Sequence, residues 1–82
     1  MNNFESGTTQ IIVADKGFVF VGQVLDNDDG TVIINNARNI RQWGTTKGLG
    51  ELVNGPTSKT VHDDWGIVVT KPIIRIKVNK GW

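Results

Sequence analysis

Residues Phe18–Leu25 read FVFVGQVL. A strand sends successive side chains to opposite faces. One face of this run therefore carries Phe18, Phe20, Gly22 and Val24, and the other carries Val19, Val21, Gln23 and Leu25. Both faces are apolar, so both are expected to be covered. A barrel wall that also lies against a neighbour would meet that requirement, and Val21 is expected to be buried in it. Gly22 falls in mid-strand, where glycine marks a sharp bend or a bulge.

The flanking segments extend the pattern. Met1–Thr9 is polar and is expected to be a flexible tail, leaving 10–82 as a single domain. Gln10–Ala14 (QIIVA) is a short apolar run, and Asp15-Lys16-Gly17 after it reads as a turn. Asp26–Gly30 (DNDDG) ends in Asp-Gly and reads as a hairpin loop. It lacks the ligand spacing and the bidentate glutamate of a calcium loop. Thr31–Asn35 (TVIIN) is the returning strand, and Asn36–Trp43 (NARNIRQW) continues it after a bulge. Gly66–Thr70 (GIVVT) and Ile73–Val78 (IIRIKV) are two further strands, with Pro72 marking an edge or a corner between them. No stretch reads as an amphipathic helix. The fold class is all-β: a small, strongly bent antiparallel barrel of about five strands. The interval 44–65 shows little periodicity, and a loop that long inside a small domain is usually functional.

Composition narrows the function. The chain has 82 residues, nine Lys and Arg against eight Asp and Glu, and a net charge of +1. A general nucleic-acid binder would be strongly basic. There is no cysteine and only one histidine, His62, so neither a disulfide nor a metal site within one chain is expected. No cofactor is implied. A domain this small buries only about 60% of its unfolded surface. A homo-oligomer is the expected compensation. No apolar run approaches the roughly 20 residues of a membrane span, so no membrane partner is expected. The N-terminal MNNFESGTTQ has neither a basic nor an apolar signal region, which points to a cytoplasmic protein.

Two resemblances add to this. The order GFVFVGQVLD, hairpin, TVIINNA, long connection, GIVVTKPIIRIKV resembles the layout of Sm-like barrels, a relative of SH3-like barrels. That implies a ring-forming barrel. The RNA-binding residues of the Sm motifs do not carry over. Val32 stands near the expected asparagine, and Thr70-Lys71-Pro72 replaces the basic-glycine pair. The second resemblance lies in NIRQWGTTKGLGELVNGPTSKTVHDDWG. It is similar to an uncharacterised family of small phage and mobile-element proteins, matching at Ile40, Arg41, Trp43–Thr46, Gly48–Leu52, Asn54–Thr57, Thr60, Val61 and Asp63. Asp64-Trp65 stands where Pro-Cys is expected. The resemblance implies a phage or prophage setting, hence the cytoplasm of an infected bacterium.

The candidate site lies in the same stretch. Glycines let backbone N–H groups converge on an anion. Gly44, Gly48 and Gly50 supply that freedom, Thr45 and Thr46 add hydroxyls, and Arg41 and Lys47 add cations. Trp43 offers a face on which a base could stack, or anchors a core or an interface. Thr57 is a further candidate contact or a turn cap. The set suits a phosphorylated or cyclic nucleotide. It is not a P-loop, because the glycine, lysine and hydroxyl order is absent. His62-Asp63-Asp64 could supply a base, but no nucleophile has a visible partner, and no enzyme is expected. The expected function is sequestration of a phosphorylated nucleotide-type molecule, a host-defence signal. The alternatives are an Sm-like RNA binder and a virion or assembly component without a ligand.

Overall fold

The apolar runs and the turn signals between them fold into five strands: β1 (Thr8–Ala14), β2 (Val19–Asp26), β3 (Val32–Gln42), β4 (Val61–Thr70) and β5 (Pro72–Lys77). The structure, a computed structural model, describes residues 8–46 and 48–82. Most of the predicted tail, at residues 1–7, lies outside the described residues, as does Lys47. All strand pairs are antiparallel, in one sheet of order β4-β3-β2-β1-β5. The all-β expectation of about five strands is met.

The turns are built as their residues suggest. Gly17 takes a positive φ of 85° in the β1–β2 turn, where the Ala14 N–H donates to the Phe18 carbonyl at 2.8 Å. In DNDDG the Asp29 carboxylate accepts from the Thr31 hydroxyl at 2.6 Å and from its N–H at 3.0 Å. These bonds hold the Asp29 carboxyl below the usual aspartate range, the hydroxyl contributing most.

Gly22 creates the bend. Asn36 and Ala37 of β3 stand opposite this one glycine, which is a β-bulge. A Cβ on Gly22 would lie 2.6 Å from Ile34 Cγ2 and 2.7 Å from the Asn35 carbonyl oxygen. Asn36 takes up the irregularity with φ 52°.

The sheet curls but does not close, which corrects the barrel expectation. Its edges, β4 and β5, are consecutive in sequence and separated by Lys71 alone. Two residues of chain span at most about 7 Å, so the two edges meet at this corner. An antiparallel hairpin needs a two-residue loop, and Pro72 has no N–H to offer. The edges therefore touch at the corner and, among the described residues, are not paired beyond it. The corner is tied down by the Asp15 N–H, which donates to the Lys71 carbonyl at 3.2 Å.

The curl produces two cores. On the concave face Ile12, Ala14, Phe20, Val24, Val32, Ile34 and Ala37 are buried together. Trp65 of β4 reaches over this core to Phe20, with ring centroids 5.2 Å apart. On the opposite face Ile11, Val19, Val21 and Ile40 are buried with Leu52. Leu52 belongs to a 3-10 helix, Leu49–Asn54, and is fully buried. The interval 44–65 is thus not one long loop. It holds this helix, and β4 already begins at Val61. Both faces of β2 are covered around Val19–Val21, and the cover on the second face is the chain's own helix and Trp82. The sequence pattern suggested a neighbour, because the helix has only Leu49, Leu52 and Val53 to announce it.

Candidate functional site

The segment 41–50 leaves the end of β3 and enters the 3-10 helix. Its path is held by two threonines beyond the helix. The Thr57 hydroxyl donates to the Gly44 carbonyl at 2.7 Å, and the Thr60 hydroxyl donates to the Trp43 carbonyl at 2.7 Å. The Thr57 N–H in turn donates to the Thr60 hydroxyl at 2.8 Å. Gly44, at φ 67°, packs so closely on Lys59 and Thr60 that a side chain would collide with their backbone. Thr57 and Gly44 are therefore placed together as the clasp of the loop.

The remaining candidates stand at the surface. Trp43 is 41% exposed. Thr45 is half-buried, and Gly48 and Gly50 have open space where a Cβ would be. Gly48 has φ 101°, which favours glycine. Arg41 is exposed and pairs with Asp63 through Nε at 2.5 Å. Lys47 lies outside the described residues. The Thr46 N–H donates to Glu51 Oε2 at 3.0 Å, and its hydroxyl lies 3.5 Å from the same oxygen. The segment thus already directs a backbone and a hydroxyl donor at one oxygen anion, supplied by the chain itself. Sequence reasoning left Glu51 out of the site. Its position five residues after Thr46, within the first turn of a helix, was the available signal.

His62, Asp63 and Asp64 are strand residues of β4. His62 packs edge-on against Trp82 at 5.5 Å. Alternation along β4 puts Asp63 and Asp64 on opposite faces, so the Arg41–Asp63 pair and the Arg38–Asp64 pair (3.7 Å) project to opposite sides. Among the described residues no three His, Asp or Glu side chains gather as metal ligands. Also among them, no helix is long and apolar enough to cross a membrane.

The chain matches no family profile, no curated protein and no solved structure.

A second residue outside the sequence-based site is Arg75, which is half-buried and makes a bidentate pair with Asp26, at 2.6 and 3.2 Å. Its Nε donates to Gln10 Oε1 at 3.0 Å, and Gln10 is fully buried. This group ties β5 to the end of β2 across β1.

Proposed function

We propose that this protein binds a phosphorylated nucleotide-type small molecule at the 41–50 segment and holds it without chemical change. The convergence of the Thr46 N–H and hydroxyl on the Glu51 carboxylate is the observation that carries the reading. The carboxylate oxygen stands where a phosphate oxygen would sit, and charge-assisted bonds of this kind are the strong ones. The exposed Trp43, three residues before Thr46 in the chain, offers a stacking face, and Arg41 offers a guanidinium that ligand phosphate would have to win from Asp63. The resemblance of the 39–66 segment to phage and mobile-element proteins supports a viral setting. Sequestration of a host-defence nucleotide is the role that setting suggests.

A thermal-shift screen of mono-, di- and cyclic nucleotides tests this, with phosphate and ribose as controls. A ligand at 100 times its dissociation constant adds about 2.7 kcal/mol to the folded state. That raises Tm by roughly 10 °C or more in a domain of this size. Arg41→Ala and Lys47→Ala should each weaken the hit about ten- to a hundredfold. Glu51→Gln should strengthen it, because the competing internal charge is gone. A screen without hits, or a hit indifferent to all three substitutions, removes this reading.

A ligand-free assembly component is the second reading. It is favoured by Ile67, Val69, Ile73 and Ile74, which stand 51–71% exposed on the two edge strands. Such a protein would assemble and bind no nucleotide.

A further inference from the structure

The bulge opposite Gly22 does more than bend the sheet. It opens a cleft of about 210 Å³ on the face that carries Trp82, lined by Thr9, Gln23, Asn36, Arg38 and Trp82 among others. Bulges re-aim side chains and recur beside binding sites. Here the turn at Asn36, with φ 52°, brings its carboxamide to that of Gln23. The Asn36 Nδ2 donates to Gln23 Oε1 at 3.4 Å. The other atoms of that pair, Asn36 Oδ1 and Gln23 Nε2, have no partner among the described residues. They present an acceptor and a donor together.

Two further groups complete the cleft. The Trp82 indole is fixed in place, its Nε1–H donating to the Leu52 carbonyl at 2.7 Å and its ring packed against His62. A ring immobilised before binding loses little freedom when a second ring lies on it. Arg38 has one partner among the described residues, Asp64, at a long 3.7 Å, and the Asp64 side chain is 90% exposed. An exposed pair of that length contributes little, so the guanidinium is available to another anion. A second opening, of about 320 Å³, shares Asn36 and Arg38, so Arg38 stands where the two meet.

We propose that this cleft binds a planar heteroaromatic ring carrying an anionic group, of which a nucleoside monophosphate is the nearest class. The ring lies against Trp82, the Gln23–Asn36 carboxamides read its donor and acceptor edge, and Arg38 takes the anionic group. Carboxamides read nucleobase edges by this same pairing of donor and acceptor. The cleft is smaller than the roughly 300–1,000 Å³ of pockets that enclose a whole ligand. It therefore admits one ring and leaves the anionic group at the mouth, beside Arg38. It is a different place from the 41–50 segment and does not depend on that segment binding anything.

The three tryptophans make the test direct, since Trp43 marks the loop, Trp82 the cleft and Trp65 the concave face. The ¹⁵N-labelled protein is titrated with each of the four nucleoside 5′-monophosphates, with ribose 5-phosphate and inorganic phosphate as controls. The indole N–H signals are assigned by Trp→Phe variants. The expected result is a saturable shift of the Trp82 indole and of the Gln23 and Asn36 side-chain amides with at least one nucleotide. Arg38→Met should weaken that titration about ten- to a hundredfold. The proposal is overturned if ribose 5-phosphate moves these signals equally. It is overturned too if Arg38→Met leaves the affinity unchanged. It also falls if Trp82 stays still with every nucleotide. A response at Trp43 in that last case would support the loop reading alone.

Discussion

At Gly22 there is no room for any side chain, because β3 bulges into the space a Cβ would fill. Gly22→Ala is expected to cost at least about 1–3 kcal/mol, the range for overpacking, read as a lower urea midpoint. The glycine advertised this bend, since a strand interior tolerates it only for such a reason. Arg75 advertised nothing, because its carboxylate partner Asp26 lies 49 residues away in sequence. Arg75→Met should cost about 2 kcal/mol, since it strips the buried Gln10 of its donor. That is a fall in Tm of roughly 10 °C. Asp29 gives a pH dependence. Its folded-state pKa is lowered, so its stabilising contribution is present above the ordinary aspartate pKa. The contribution is lost as pH falls through the lowered value. A pH titration of the side-chain carboxyl by NMR should show its midpoint below the ordinary value, and Thr31→Val should move it back up. The candidate site was legible in part at this scale. Glycines and threonines marked the segment, while the committed bonds of Thr57, Thr60 and Glu51 depend on where the chain returns.

Among the elements, β2 and the two edge strands carry the consequences. Val21 is buried beneath the 3-10 helix, with 1% of its surface exposed. Val21→Asp would bury a charge with no partner, a cost of several kcal/mol that rivals the stability of a small domain. The variant is expected to be unfolded by circular dichroism. The free edges lead to a different expectation. Among the described residues β4 and β5 each have one side without a strand partner, and such edges recruit further strands. An antiparallel union of β4 with β5 of another copy brings Ile67 and Val69 towards Ile73 and Ile74. The same union brings Asp63 and Asp64 towards Lys77 and Lys80. Repeated head to tail, that contact generates a ring if the rotation closes. Sedimentation at micromolar concentration should therefore show a discrete homo-oligomer. Ile67→Lys with Ile73→Lys should reduce it to a folded monomer. A wild-type chain that sediments as a folded monomer would refute the union.

For the whole molecule, stability is shared between the two cores on opposite faces of one curled sheet. The second core depends on a lid made of the 3-10 helix and the last residues. The Asn79 and Lys80 N–H groups donate to the Val53 carbonyl at 2.7 and 3.2 Å, and Gly81 crosses Gly55 at backbone contact. Trp82→Ala removes the ring and one of the two donors to the Leu52 carbonyl, leaving the Gly55 N–H at 3.1 Å. It should cost about 2–3 kcal/mol, below the range for a fully buried aromatic. Hydrogen exchange should quicken in Leu49–Asn54 while the amides over the concave core stay protected.

What the sequence determined by itself is the part of this protein governed by local chemistry. Alternation in FVFVGQVL, Asp-Gly at the hairpin, glycine at the bend and proline at the corner specify five antiparallel strands, because each acts within a few residues of itself. What only the tertiary structure decided is everything set by contacts distant along the chain. The edges stay open because one residue cannot turn a hairpin. The second face of β2 is covered by a helix of six residues, too short to show a period. The donors of Thr46 face Glu51, and Trp82 returns from the far end of the sequence to wall the cleft beside Arg38. These pairings depend on the curl of the sheet, and no window of sequence contains it.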